Sequence, residues 1–194
     1  MWATGRREQK MDDRKRLLQL IKEKSYEERE VVLSSGEKSS FYFDSKQTTL
    51  NPEGSYLTGK LFYLKIKNAP ISVEAVGGMT LGADPIVTSI AIVSFLEKNP
   101  LPAFIIRKEP KKHGTGRWIE GKASIPLKAK VAIIEDVVTT GATTLNAILR
   151  AKEEGLQVVQ VLALIDRGEG GREHLSEKGY RLESLFSRTD FKEE

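Results

Sequence analysis

The sequence predicts an α/β protein in which helices cover both faces of a central parallel sheet. Two apolar runs carry much of this, KVAIIED from Lys130 to Asp136 and QVVQVLALID from Gln157 to Asp166. A strand buried on both faces loses the apolar-polar alternation of a half-exposed one. Such runs alternate with segments whose apolar residues recur at helical spacing, the order of a parallel sheet with helical crossovers. The strands also end in polar or glycine-rich stretches, at Gly77 to Asp84, Arg107 onward, Glu135 to Thr143 and Asp166 to Gly171. In open α/β sheets ligands bind at those carboxyl ends.

The elements follow in order. MWATGRREQK has no apolar periodicity and is expected to be a flexible extension over 1–11, leaving 12–194 as one domain. From Asp12, DDRKRLLQLIKEKS sets Leu17, Leu20 and Ile21 on one face behind an acidic first turn, an amphipathic helix. EVVLSSG and SSFYFDSK read as short strands around a turn, Asn51-Pro52 opens a helix to about Lys67, and VEAV, Val73 to Val76, reads as a short buried strand. Asp84-Pro85 opens the helix PIVTSIAIVSFLEK, PAFIIRK is a strand, and Glu109 to Lys122 has no period. Beyond KVAIIED, the helix ATTLNAILRAKEE is closed by Gly155, REHLSEKG forms a helix with His174 at its surface, and RLESLF is the last strand.

Composition narrows the chemistry. At 194 residues and 39% hydrophobic content the chain is large enough for one real core. No apolar run approaches the ~20 residues of a membrane helix, so no membrane partner is expected and a soluble, cytoplasmic protein is. With no cysteine and only His113 and His174, disulfides, thiolate chemistry and an ordinary zinc site drop out, which leaves a hard cation on oxygens. The net charge of +4 is local: RKEPKKHGTGR, Arg107 to Arg117, holds five Lys and Arg against one acid, and the N-terminal arm is also basic. The arm reads as a solvated helix face rather than a nucleic-acid surface.

The stretch VAIIEDVVTTGATT, Val131 to Thr144, is the most informative. In TTGAT the hydroxyls of Thr139, Thr140 and Thr143 and nearby backbone N–H groups can converge on one phosphate, Gly141 admits close approach, and the following helix contributes its dipole. A plain capped strand-to-helix turn would use the same residues. It would not account for Glu135 and Asp136 just upstream, since acids beside a phosphate are repelled unless they act on another part of the ligand. Carboxylates accept hydrogen bonds from vicinal hydroxyls, so the spacing asks for a ribose 5-phosphate. The basic stretch around Lys108, Lys111, Lys112 and His113 suits a mobile loop that closes over a leaving anion, or else is an ordinary solvated charge run. GRWIEGKA, Gly116 to Ala123, imitates a Walker A loop but has Ala123 in place of the magnesium-binding hydroxyl and follows no apolar strand.

IIEDVVTTGAT resembles the 5-phosphoribosyl 1-diphosphate signature of type I phosphoribosyltransferases: four apolar residues, [DE]-D, two apolar residues and T-[TA]-G. RKEPKKHG resembles the R-K-x-x-K-x-H-G loop of the orotate phosphoribosyltransferase family, and SSGEKSSFYFDSK, GGMTLGADPI, IEG and LIDRGEGG resemble further segments of that family in its order, from about residue 17 to 188. The resemblance implies the type I phosphoribosyltransferase fold with a small N-terminal hood. It also implies transfer of ribose 5-phosphate from 5-phosphoribosyl 1-diphosphate to orotate, yielding orotidine 5-phosphate and diphosphate in pyrimidine (UMP) synthesis. By the same resemblance Arg107, Lys108, Lys111 and His113 would meet the diphosphate, and Glu135 and Asp136 the ribose hydroxyls. Val137, Val138, Thr139, Thr140, Gly141, Ala142 and Thr143 would hold the 5-phosphate, with Thr139 and Arg167 facing orotate. Lys111, His113 and Asp136 would be the catalytic set, with Mg2+ carried on substrate oxygens rather than by direct protein ligands, in a homodimer.

The chain departs from the enterobacterial form of the family at Ser34 and Leu81, where lysines stand in that form; Lys38 and Lys46 are candidates to replace one of them. Arg167 has a simpler reading as an ion-pair partner of Asp166 or Glu169. Two other functions use the same residues: a regulator of this fold that senses 5-phosphoribosyl 1-diphosphate and binds nucleic acid, and a transferase for another nucleobase.

Overall fold

The computed structural model describes residues 3–27, 31–32, 38–39, 42–110 and 118–191, with side chains over 12–27, 42–110 and 118–191. In order it contains α1 (Ala3–Lys24), β1 (Tyr26–Glu27), β2 (Val31–Val32), β3 (Lys38–Ser39), β4 (Tyr42–Phe43), α2 (Lys46–Thr49), α3 (Pro52–Lys67), β5 (Ala75–Met79), α4 (Asp84–Leu96) and β6 (Ala103–Ile106). There follow β7 (Ile119–Glu120), β8 (Lys130–Val138), α5 (Ala142–Glu153), β9 (Gln157–Asp166), α6 (Gly171–Glu177) and β10 (Leu182–Ser187). The main sheet has the order β10-β9-β8-β5-β6-β7. Its first five strands are parallel and β7 is an antiparallel edge. β1 pairs with β4 and β2 with β3, both antiparallel, as a small layer apart from the main sheet.

Strong local signals gave accurate elements. Asn51 caps α3, its side chain accepting from the amides of Glu53 and Gly54, and Pro52 needs no amide at the first helical position. Gly155, at φ 82°, follows the end of α5 in the left-handed conformation that ends helices. The β8 side chains alternate between two cores: Ala132 and Ile134 face Leu17, Leu20 and Ile21 of α1 with α3 and α4, while Val131 and Ile133 face Ala147, Ile148 and Ala151 of α5. Each of these residues is 2% exposed or less, which is the two-sided burial that the apolar runs predict.

Four expectations are corrected. α1 begins at Ala3 rather than Asp12, so helix runs through most of the segment expected to be a flexible extension. Arg, Glu, Gln, Lys and Met are good helix formers and propagate a helix already nucleated by the packed Leu17–Ile21 stretch. β5 is shifted to Ala75–Met79 and takes in Gly77 and Gly78, where the sequence predicts loop. Close packing overrides the poor strand propensity of glycine there: a Cβ on Gly77 would lie 2.2 Å from the Phe104 ring, and one on Gly78 2.1 Å from the Ile134 carbonyl oxygen. β7 arises inside the aperiodic stretch, its Ile119 buried and paired to Ile106. The fourth correction is the longer β8, which runs through the two acids to Val138, pairing Val137 with Ile165 and Val138 with Asp166. Among the described residues no helix is long and apolar enough to cross a membrane.

The Gly77–Phe104 contact is testable. Gly77→Ala is expected to cost about 1–3 kcal/mol by overpacking, read as a lower urea midpoint at unchanged slope. In a Phe104→Leu background the same substitution should cost less, because the ring it strikes is gone. Equal costs in both backgrounds would contradict this account of β5.

Candidate functional site

The segments that follow β4, β5, β8 and β9 meet at the carboxyl edge of the sheet, around the end of β8. Glu135 is 4% exposed and accepts a hydrogen bond from Thr144 Oγ1 of α5 at 3.2 Å. Burial pushes its carboxyl well above the ordinary carboxylate range, and the adjacent Asp136 charge adds to the shift. Asp136 is half-buried on the other side of the strand end and accepts from Ser45 Oγ at 2.5 Å. The glycine loop after β5 closes on the same carboxylate, since a Cβ on Gly82 would come within 2.4 Å of Asp136 Oδ1. In that loop Thr80 Oγ1 donates to Asp84 Oδ2 at 2.7 Å, and Leu81 stands exposed.

After β8, Gly141 takes φ 78° and no side chain caps α5, so the helix presents its first turn beside Thr139, Thr140, Ala142 and Thr143. Uncapped first-turn amides favour an anion. The turn is fixed from behind: a Cβ on Gly171 would lie 2.4 Å from the Thr139 carbonyl oxygen, and the His174 ring Nδ1 lies 2.9 Å from the Thr140 carbonyl oxygen. His174, expected to be a surface residue, is partly exposed and in addition ties α6 to this turn. At the end of β9 the Arg167 amide donates to the Val138 carbonyl at 3.0 Å, and its guanidinium, 6% exposed, pairs with Glu169 at 2.9 Å. Asp166 pairs instead with Arg172, so of the two ion-pair partners considered for Arg167 the structure selects Glu169.

The basic segment is only partly described. Arg107 lies at the end of β6, where its Nη1 meets Glu120 of β7 at 3.0 Å and its Nε donates to the Glu109 carbonyl; Lys108 is exposed. Lys111, Lys112, His113 and Ser34 lie outside the described residues. In the Walker-like stretch Ile119 and Glu120 are strand, Lys122 is bound to Glu154, and the Trp118 ring stacks on Arg150 at 3.5 Å. A phosphate cradle there is excluded by those contacts. Lys46, one candidate for a missing lysine, pairs with Asp44 at 2.7 Å, which with the Asp136 charge raises its ammonium above the usual range.

Sequence reasoning did not find Ser45, Gly82, Thr144 or His174. Thr144, nine residues after Glu135 on the inward face of α5, could have been found from helix periodicity; the other three contacts are made by the tertiary fold and leave no local pattern.

No protein-family model matches the chain. Individual proteins do. The orotate phosphoribosyltransferase of Aquifex aeolicus (strain VF5) is 47% identical over 179 residues, covering 91% of this chain and 96% of that one. The orotate phosphoribosyltransferase of Nostoc sp. (strain PCC 7120) is 43% identical over 180 residues, covering 93% and 85%. Among solved structures, Mycobacterium tuberculosis H37Rv orotate phosphoribosyltransferase in complex with Fe(III) dicitrate has a TM-score of 0.80 at 35% identity, covering 92% of this chain and 98% of that one. The same enzyme in complex with 5-phospho-alpha-D-ribosyl 1-diphosphate has a TM-score of 0.75 at 32% identity, covering 92% and 98%. Adenine phosphoribosyltransferase from Trypanosoma brucei, 17% identical with a TM-score of 0.66, shares the fold alone. With identities of this size over nine-tenths of its length, the chain has the type I phosphoribosyltransferase fold and belongs to the orotate phosphoribosyltransferase family.

Proposed function

We propose that this protein, as one catalytic domain over 12–194, transfers ribose 5-phosphate from 5-phosphoribosyl 1-diphosphate to orotate, giving orotidine 5-phosphate and diphosphate in de novo UMP synthesis. The observation that carries the reading is the meeting, at the end of β8, of the Glu135–Asp136 pair with the uncapped turn at Gly141. In this reading the two acids take the ribose hydroxyls and the segment from Val137 to Thr143 takes the 5-phosphate. Burial raises the proton affinity of Glu135, which weakens the repulsion that two adjacent acids would otherwise exert on the phosphate. Thr139 and Arg167 face orotate, whose carboxylate matches a guanidinium fork, with Glu169 holding that fork in place beforehand.

The ring nitrogen of orotate attacks the anomeric carbon as the bond to diphosphate breaks, and the proton it loses is taken up by the departing diphosphate. Arg107, braced by Glu120, and Lys108, Lys111 and His113 take up the charge of the departing diphosphate, Lys111 foremost. Magnesium fits the donor set as an ion held on substrate oxygens, since it retains waters and takes phosphate oxygens in preference to a protein cage. Among the described residues no three His, Cys, Asp or Glu converge on a common point, and no side chain is assigned as its ligand. When bound it would neutralise and orient the diphosphate. A homodimer is supported by an apolar strip in which Leu50, Leu81 and Ile92 line one cavity of about 550 Å³ and Phe95 and Leu96 continue along α4, all more than half exposed. Two anionic, water-soluble substrates suit the cytoplasm in this reading.

Assayed with magnesium and 5-phosphoribosyl 1-diphosphate against orotate, uracil, adenine and hypoxanthine in parallel, the protein should turn over orotate alone. Turnover of another base would replace the acceptor, and ligand-dependent nucleic-acid binding without turnover would favour the regulator. Lys111→Ala should lower kcat by about 100-fold or more while leaving orotate binding nearly intact; an unchanged kcat would remove Lys111 from the reaction. Glu135 supplies a pH test in the ligand-free protein. Its folded-state affinity for a proton is raised, so it opposes folding increasingly as pH rises from the ordinary carboxylate range toward the folded value. The stability of Glu135→Gln relative to the unsubstituted protein should therefore grow as pH increases from about 4 to 7, and a gap that does not change with pH would show that Glu135 titrates normally.

A further inference from the structure

Ser45 stands between the N-terminal segment and the strand end that carries Asp136. It is 2% exposed and occupies the N-cap position of α2, where a serine hydroxyl ordinarily accepts from an amide of its own helix. Here it makes no such cap, and its Oγ instead donates to Asp136 Oδ2 at 2.5 Å. The hydroxyl has given up a local bond for one that crosses 91 residues of chain.

Its backbone is held firmly. The amides of Thr48 and Thr49 donate to the Ser45 carbonyl at 3.0 and 2.8 Å, and the Asp44 amide donates to the Ser25 carbonyl at 2.9 Å. Ser25 Oγ and Thr48 Oγ1 share a buried hydrogen bond of 2.7 Å, and the Ser25 amide bonds back to Ile21 in the packed end of α1. The Ser45 hydroxyl is therefore referred to the core through α1 and α2. Across from it, the Gly82 backbone leaves no room for a Cβ beside Asp136 Oδ1. One carboxylate oxygen is bonded to Ser45 and the glycine loop closes against the group, which restricts its rotation while leaving it only half-buried.

We propose that Ser45 is a positioning residue for the phosphoribosyl donor, its hydroxyl fixing the Asp136 carboxylate in the orientation that receives a ribose hydroxyl. The inference rests on the reading of Asp136 as a ribose contact. An unfixed carboxylate would have to be ordered when the donor binds, and that loss falls on the donor and not on orotate.

The test is steady-state kinetics on the full chain with magnesium, orotate and 5-phosphoribosyl 1-diphosphate. Ser45→Ala should raise KM for the donor about tenfold, the scale of one hydrogen bond to a charged group, with KM for orotate within about twofold. In Asp136→Asn, adding Ser45→Ala should weaken donor binding, measured by calorimetry, no further, because the residue acts through Asp136. Ser45→Cys, of similar size but a weak donor, gives the same readout should the alanine variant not fold. An unchanged donor KM, a parallel rise in both KM values with lost thermal stability, or full additivity with Asp136→Asn each overturns the proposal. Absence of orotate turnover in the unsubstituted protein would instead overturn the proposed function itself.

Discussion

Glu135 and Asp136 place two acids side by side after four residues of β8 that have no solvent exposure, and the arrangement around them answers the electrostatic cost. Two charges buried together would each lose hydration worth several kcal/mol and repel one another at short range. The structure divides the problem. Glu135 goes inward, where burial and the neighbouring Asp136 carboxyl favour its proton and Thr144 supplies a hydrogen bond, while the half-buried Asp136 accepts from the Ser45 hydroxyl. The pair thus presents one buried, protonation-prone carboxyl and one oriented carboxylate at the same strand end.

The rest of the edge follows from keeping that strand end accessible. Gly82 lets the loop after β5 press against Asp136, Gly171 lets α6 press against Thr139, and Gly141 turns the chain into a helix with no side-chain cap. Larger residues at the first two positions would push the loops off the acids and off the turn at Gly141. Arg167 is brought to the same edge by the amide bond to Val138, which exists only because β8 continues beyond its acids alongside β9. Strand length, not loop composition, therefore sets the distance between the two acids and the guanidinium.

Much of this was legible in the sequence, for a physical reason. Apolar runs such as Val131–Ile134 and caps such as Asn51-Pro52 are local signals, and the structure realises them within a residue or two. The Glu135–Asp136–TTGAT order was legible because acids beside an anion turn conflict with any purely structural use. What failed to show was non-local. Gly77 and Gly78 read as loop because their place in β5 depends on Phe104 and Ile134; α2 is a single turn too short to have a period; and Ser45 finds Asp136 only once α1 and the sheet have packed. Arg167 shows how a local reading and the proposed one can coexist, since its pairing with Glu169 would also steady the group for the carboxylate ligand proposed for it.

The most direct test of the account is a crystal structure of the protein with 5-phosphoribosyl 1-diphosphate and magnesium bound. The account predicts ribose hydroxyls within hydrogen-bonding distance of Asp136 and Glu135, and the 5-phosphate on the amides and hydroxyls from Thr139 to Thr143. A donor bound elsewhere, or bound with its phosphate on the acids' side and its ribose hydroxyls on the Gly141 turn, would contradict it.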